Sequence, residues 1–502
     1  MKRIAYLAVL SAVLVSPLAR SADEAANPQA AVPPPLYQPA IPAQPRGVES
    51  QDADWKKSNA EVSQFPRGHA DILKWEKAQG GGATSATPVA TGPAMDVDSA
   101  VRIAVMNNPA LDAAMAALSI SDAERRQASQ LPNPLLTLSR VREGQALAIE
   151  RMLSFNVLQL ITLPWRSKIA GQRQELAKLE AAQQVIRTAA DTRKAWFDAV
   201  AAAQTARYLA DAKEAAEAGA ELARRMARVG NFSRLQQARE ESTLADISAQ
   251  LARARQEAVS KRERLTRLMG LWGTDAQYTL PDQLPPLPKA LIDRGDVEAQ
   301  ALKERVDVRA ARDEALYVAD SLGYVRASGV IDAFTVGVKR NTGFDNADGS
   351  RSTGRGAEIE LPLPVFDWGQ ANAARADAVY RQAVARVRDV GVRARSEARE
   401  SWHAWRTAYD VARHYRDEVV PLRKFINDET VLRYNGMLAS AWELLAETRN
   451  HVAAITGAIN AQRDFWMADT DLNTALTGTS PGALAALQGN TKWTEEASSA
   501  AH

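Results

Sequence analysis

The residue types that could do chemistry sit in a few short motifs. Gly478-Thr479-Ser480-Pro481-Gly482 has the letters of a nucleophile elbow, in which a strained strand-to-helix turn exposes a serine. Here a helical pattern precedes it instead of a strand, and Pro481 stands where the next helix should begin, so no nucleophile is expected. Asp345-Asn346-Ala347-Asp348-Gly349 offers oxygen ligands for a hard cation but lacks the alternating spacing of a calcium loop. His403 and His414 share a helix face yet lie about 16 Å apart along it, too far to share a metal. Asn231-Phe232-Ser233 fits a glycosylation sequon, and Lys261–Arg264 is the basic cluster of a solvated helix face. Cysteine is absent, which removes thiolate nucleophiles, thiolate metal sites, disulfides and lipid anchors held through sulfur. No catalytic, cofactor or metal site is expected, and the chain reads as a non-enzyme.

The elements around these motifs point elsewhere. Of 502 residues 46% are hydrophobic and 24% charged, an ordinary folded composition. Residues 1–21 form a secretory signal: Lys2 and Arg3, an apolar run Ile4–Val15, then Ala19-Arg20-Ser21 before the cleavage point. Its removal takes Lys2, Arg3 and Arg20 and no acid, so 62 basic residues fall to 59 against 60 acidic. A near-neutral mature chain gives no support to nucleic-acid binding. No later apolar run reaches the 18 or so residues of a spanning helix, which excludes an inner-membrane pump. Residues 22–95 are Pro- and Gly-rich, with Pro33-Pro34-Pro35 and Gly80-Gly81-Gly82, and suit a tether or surface-wrapping arm.

Beyond this extension, long helical patterns occur twice. The first half (96–270) reads helix Asp98–Gln130, strand-like segment, helix Ser167–Val229, turn, helix Ser233–Met269. The second (296–478) reads helix Val297–Arg326, strand-like segment, helix Gln370–Tyr434, turn, helix Ala439–Leu476. Leu163-Pro164-Trp165 corresponds to Leu363-Pro364 through Trp368, Gly230 to Gly436 and Gly270 to Gly478, offsets of 200 to 208 residues that signal an internal duplication. A Pro-rich linker (271–295) joins the halves, and a tail (479–502) follows. Leu244, Ile247, Leu251, Ala254, Ala258, Leu265 and Leu268 fall on a heptad frame broken only by Lys261, and Trp402, Trp405, Tyr409 and Ala412 repeat the spacing.

The strand-like segments form two candidate hairpins. One pairs Leu135–Val141 with Ile149–Leu163. The other pairs Val330–Lys339 with Arg355–Leu363 across a Gly-, Asn- and Asp-rich loop, Arg340–Gly354. In the last strand Ala357, Ile359, Leu361 and Leu363 alternate with Gly356, Glu358, Glu360 and Pro362. That alternation suits a barrel wall with lipid on one side and water on the other, and equally a soluble hairpin with one wet face. Four strands are too few to close a barrel, so several copies would have to share one.

Taken in order, several motifs resemble the TolC-like outer-membrane channel (outer-membrane efflux protein) family. They are Asn107-Asn108-Pro109-Ala110-Leu111, Arg305-Val306-Asp307-Val308, Leu131-Pro132-Asn133-Pro134, Leu361 through Gly369, Arg228-Val229-Gly230 and Arg433-Tyr434-Asn435-Gly436. Val306 departs from the Arg-Pro-Asp that opens the family's second repeat. The resemblance implies a mainly α fold with a small β part: an α-helical periplasmic barrel, plus four strands per protomer given to a shared trimeric transmembrane β-barrel. It implies a homotrimer in outer-membrane lipid, with a long periplasmic extension. Its partners would be a periplasmic adaptor (membrane fusion) protein and an inner-membrane pump of the resistance-nodulation-division type, with no nucleic acid. The function implied is a passive exit duct for efflux. The wording of the first and third motifs is nearer to relatives serving heavy-metal pumps. A type I protein-secretion channel and a secreted periplasmic coiled-coil scaffold or adaptor stand as alternatives. Without cysteine the chain lacks the acylated N-terminal residue of many relatives, so the barrel alone would hold it in the membrane.

The candidate site follows from the same source. Gly230 and Gly436 are expected to take the positive φ of a tight helix reversal. By themselves Val229, Gly230, Asn231, Ser233 and Leu235, and Asn435, Gly436, Leu438, Ala439 and Ser440, are ordinary helix-hairpin turns. The resemblance makes them the tips that dock the adaptor. Glu358 and Glu360 either line a barrel lumen and bias it toward cations, or merely keep a water-facing side wet.

Overall fold

The computed structural model describes residues 94–481, apart from 145, 231, 329–333, 346–347 and 363–367. The expected signal, all but the last residues of the N-terminal extension and the tail beyond 481 lie outside the described residues.

Helices dominate. In order they are α1 (Val97–Asn107) and α2 (Pro109–Ala128), then strands β1 (Leu135–Glu143) and β2 (Ala146–Asn156), a short α3 (Val157–Ile161), α4 (Leu163–Arg228) and α5 (Arg234–Leu268). Then come α6 (Val297–Glu304), α7 (Val306–Ser328), β3 (Thr335–Asp345), β4 (Arg351–Glu360), α8 (Gln370–His414), α9 (Val420–Asn435) and α10 (Ala441–Thr477). The long helices lie where the apolar periodicity puts them, but three are interrupted. The first expected helix bends by 48° at Asn108, whose side chain caps the next helix by accepting from the Ala110 amide at 2.9 Å, with Pro109 at the first helical position. The helix expected over Val297–Arg326 breaks at Arg305, which is extended at φ −64° and ψ 130°. The helix expected over Gln370–Tyr434 passes through a π turn, Tyr415–Val419, just before Pro421, a residue with no amide to donate.

The strands also differ from expectation at their ends. β2 stops at Asn156, not Leu163, because the Asn156 side chain accepts from the Gln159 amide at 3.0 Å and starts α3. β3 and β4 run into the segment expected as a loop, reaching Asp345 and resuming at Arg351. The four strands form one antiparallel sheet in the order β1-β2-β3-β4.

The described residues divide into two compact units. One comprises 94–96, 199–267 and 271–284. In it Arg224 of α4 lies 3.5 Å from Glu241 of α5, while Leu244, Ile247, Leu251 and Ala254 of the heptad frame are buried. The segment after α5 is held by Tyr278, whose ring lies 4.2 Å beneath the Arg262 guanidinium and whose hydroxyl meets Thr266 Oγ1 at 2.9 Å.

The other unit comprises 97–198, 268–270 and 285–481. In it α8 packs against α7 and α10, and α9 against α10. Its apolar core joins Val297 and Ala301 to Trp405, Tyr409, Phe465, Leu472 and Leu476. Linker carbonyls close over this core: Tyr409 donates its hydroxyl to Pro288 and Lys289, and Trp466 Nε1 donates to Pro285 at 2.9 Å. Tyr415 of the π turn lies against Gly457, where a Cβ would sit 2.9 Å from its ring.

Candidate functional site: the helix reversals and the sheet

The two reversals are built differently. At the first, Gly230 takes φ +78° and its amide donates to Ala227 at 3.1 Å. Ser233 then starts α5 with a reciprocal cap: its amide donates to Gln236 Oε1 at 2.8 Å, and its hydroxyl oxygen accepts from the Gln236 amide at 3.2 Å. Val229 and Leu235 project into solvent. Asn231 lies outside the described residues.

At the second reversal the expectation for Gly436 fails. Its φ is −82°, and Met437 is the residue that enters the left-handed region, at φ 59°. The hydrogen bonds explain why. Leu438 donates to the Arg433 carbonyl at 2.8 Å and Met437 to Tyr434 at 3.0 Å, the paired bonds of a Schellman turn. That pattern demands positive φ at the residue after the cap, which is position 437 here, one residue beyond the glycine. Met437 and Leu438 are 94% and 82% exposed. Ser440 starts α10 with a full capping box to Glu443, and Ala439 bridges the turn to it. Asn435 closes α9. No local sequence signal marks Met437, since glycine one residue earlier is the better left-handed former; the bonding pattern places the positive φ at 437.

The register sorts the sheet into two faces. On one, Phe155, Val336 and Ile359 align in a row, and Leu136, Leu153, Val338 and Ala357 in the next. The next row outward is Leu138, Arg151, Arg340 and Arg355. The opposite face carries Glu143, Glu150, Glu358 and Glu360 among Gly337, Gly343, Gly354 and Gly356. Glu358 and Glu360 therefore share a face, as the alternation requires, but Lys339 Nζ lies 2.9 Å from Glu358 and offsets its charge. Among the described residues Glu360 has no ion-pair partner.

This is the geometry of solved outer-membrane channels. A crystal structure of the Campylobacter jejuni CmeC outer membrane channel superposes with a TM-score of 0.65 at 16% identity, covering 81% of this chain and 89% of that one. CusC, in structures describing transmembrane channel formation, gives 0.63 at 16%, over 76% and 92%. A membrane protein from Pseudomonas aeruginosa gives 0.66 at 19%, over 76% and 93%. The chain has the TolC-like outer-membrane channel fold. No protein-family model and no curated protein matches it.

Within that fold the remaining motifs take structural parts. Ser480 donates to Glu397 Oε1 at 2.6 Å, and Glu397 Oε2 lies 2.9 Å from Arg305, so the serine of the elbow-like motif belongs to an ionic cluster around that buried guanidinium. Arg305 also grips Asp307 bidentately, at 2.9 and 2.6 Å, and its side chain is 1% exposed. Burial alone would lower the Arg305 pKa, but the two carboxylates outweigh it and push it up. Asp348 accepts from the Ser350 amide at 2.8 Å, a local turn contact. His414 pairs with Glu418 one helical turn away, and His403 stands edge-on to Trp402. Among the described residues no three His, Cys, Asp or Glu are placed to share a metal.

Proposed function

We propose that the chain is the outer-membrane exit duct of a tripartite efflux system and works as a homotrimer. The sheet carries this reading. Its strands are 9, 11, 11 and 10 residues long, the span a tilted strand needs to cross a bilayer. Among the described residues the outer edges of β1 and β4 have no neighbouring strand, and four strands cannot close. Three copies would supply twelve and satisfy every edge, which lipid demands. The row face, with Leu136, Leu138, Phe155, Val338 and Ile359 exposed, would then meet lipid, and the face with Glu358 and Glu360 the lumen.

The duct would conduct passively, with its energy supplied by an inner-membrane pump of the resistance-nodulation-division type. The reversals at Val229–Leu235 and Asn435–Ser440 would dock the periplasmic adaptor. We read 96–270 and 296–478 as two copies of one unit joined by 271–295, with 1–21 as signal, 22–95 as extension and 479–502 as tail. The test is heat-dependent gel mobility of the detergent-extracted protein, together with efflux in a deletion strain challenged with metals, dyes and antibiotics. A heat-labile trimer and restored resistance support the duct. A freely soluble periplasmic protein rejects it in favour of a scaffold.

A further inference from the structure

The helix pair that carries the second reversal changes character at one level. Up to that level it is well packed: Trp405, Tyr409 and Ala412 of α8 are buried, as are Val452, Ala454 and Ile459 of α10. Beyond it burial stops. No residue of α9 is buried, and among the described side chains none between 420 and 451 is. Leu422, Phe425 and Leu432 stand in solvent. The first reversal is built otherwise, with Ala220, Ala223, Thr243 and Leu244 buried close to Gly230 in sequence.

Each leg of the pair is weakened where the packing ends, for a different reason. On the α8–α9 leg the π turn Tyr415–Val419 replaces the α pattern, and the Val420 amide donates to the Tyr415 carbonyl five residues back. Pro421 follows and has no amide to give. Proline and π turns are where helices kink. On the α10 leg Gly457 lacks the side chain that stiffens a helix. Beside it the Thr456 hydroxyl donates back to the Val452 and Ala453 carbonyls, both at 3.0 Å, a contact that bends helices.

The two weak points face each other with a ring between them. Tyr415 packs on the edge of the apolar core, and a Cβ added at Gly457 would come within 2.9 Å of its ring. The glycine is therefore the slot the ring occupies. On the outside of the turn Asp417 accepts from Arg416 at 2.6 and 3.0 Å and from Arg413 at 3.3 Å, while His414 lies 3.3 Å from Glu418. Exposed pairs of this kind contribute little, which leaves the seated ring as the restraint.

We propose that the π turn and Gly457 form a two-legged hinge on which residues 420–456 move as one arm, with Tyr415 as the catch that sets the arm's angle. Beyond the hinge α9 packs against α10, and Arg423 lies 3.4 Å from Glu447, so the arm holds together as it moves. From Val420 to Gly436 it is about 25 Å long, and a swing of about 10° carries Met437 and Leu438 by about 4 Å. The hinge rests on the duct reading only for its purpose, which is to aim the second docking tip.

Hydrogen exchange of the full-length protein in detergent, read by mass spectrometry, tests the device. In the wild type, peptides covering 414–421 and 453–460 should exchange faster than those covering 403–412 and 424–436. Tyr415→Ala should speed both hinge segments about ten-fold and leave 424–450 unchanged, because the arm moves without unfolding. Pro421→Ala restores a donor and should slow 414–421 about five-fold. The hinge is overturned if its two segments are no faster than their flanks, or if Tyr415→Ala alters only the first. It is equally overturned if the effect spreads through 424–450, as it would in an arm that unzips. In the deletion strain Pro421→Ala should lower efflux with the heat-labile trimer intact; undiminished efflux would strike out the aiming role. A soluble protein without a trimer in which both segments still respond removes the duct and leaves the hinge standing.

Discussion

The two helix reversals should respond oppositely to the same substitution. At Gly230, φ +78° places an added Cβ in the left-handed region, which costs an L-residue about 1–2 kcal/mol even though nothing lies within 4 Å. Gly230→Ala should therefore loosen its turn and speed exchange of the neighbouring Val229 amide about 5- to 30-fold. Gly436 has φ −82°, and an added Cβ would lie 3.6 Å from the Arg433 and Leu432 carbonyl oxygens, an ordinary contact. Gly436→Ala should leave exchange at Leu438 unchanged or slow it, since alanine also restricts the unfolded chain. Met437→Gly removes the strained residue itself. It recovers the left-handed penalty and returns about 0.4–1 kcal/mol of unfolded-state entropy, a net gain of about 0.5–1 kcal/mol. Because the Met437 side chain is 94% exposed, little packing is lost. The Leu438 amide, which bonds to Arg433, should exchange about two- to five-fold more slowly. Hydrogen exchange read by mass spectrometry on peptides spanning 225–240 and 430–445 resolves the three variants. Faster exchange around residue 438 in Gly436→Ala, matching that around 229 in Gly230→Ala, would refute this account of the second turn.

Arg305→Ala leaves the half-buried Asp307 and Glu397 carboxylates without their cation and should cost about 2–3 kcal/mol, read as a lower thermal midpoint; Arg305→Lys should restore little, lacking the bidentate fork. Gly270→Ala forces a Cβ to 2.3 Å from the Asn107 carbonyl oxygen at φ +66° and should lower the midpoint by more than Gly230→Ala does. Burial holds the Asp469 carboxyl above its ordinary range despite Arg294 and Trp405 nearby, so the folded state binds its proton more tightly than the unfolded. Its penalty is absent below the ordinary carboxylate value of 3.8 and grows as pH rises through the folded-state value. Asp469→Asn, which keeps an acceptor for Trp405 Nε1, should raise the midpoint at neutral pH and flatten its fall across that window. Charged residues at Gly230 or Gly436 should abolish efflux with the trimer intact; surviving efflux in both would move the docking surface elsewhere.

Much of this molecule was legible because long helices leave a long record. The heptad from Leu244 to Leu268 and the aromatic run Trp402–Ala412 predict buried stripes, and Leu251, Trp405 and Tyr409 are indeed buried. The sheet was harder to bound. Residues 340–354 look like a loop because Asn341, Gly343 and Gly354 are loop formers, yet they alternate with Thr342, Phe344 and Thr353 and share one face of the sheet. In the other direction, Val157–Leu163 is apolar enough to extend a strand, and the local cap at Asn156 overrides it. The arginine row was hidden because its members are distant in sequence: only the register sets Arg151 beside Arg340 and Arg355. The same holds for Arg305, whose ionic partner Glu397 is on another helix and whose burial no local pattern announces.

The breaks at Asn108 and Arg305 show how two side chains solve one problem. A helix that bends leaves backbone groups without intrahelical partners, and a buried bend must find them others. At the first break Asn108 supplies its oxygen to the Ala110 amide and turns its Nδ2 outward to the Leu268 carbonyl at 2.8 Å, tying the bend to the end of α5. At the second, Arg305 has no acceptor to cap with, and Asp307 does it instead, accepting from the Val308 amide at 2.8 Å. The Val306 amide passes to the Gly478 carbonyl at 3.0 Å, while Arg305 reaches the Ala475 carbonyl at 3.3 Å, both at the end of α10. Each bend is thus pinned to the last turn of a long helix. Beside the first a glycine permits the approach, Gly270 against Asn107, whereas Gly478 makes room for Ile186 of α4. The amide does this without charge. The guanidinium requires Asp307 and Glu397 with it, which makes the second pin the more costly to break and the one where a single substitution should do most harm.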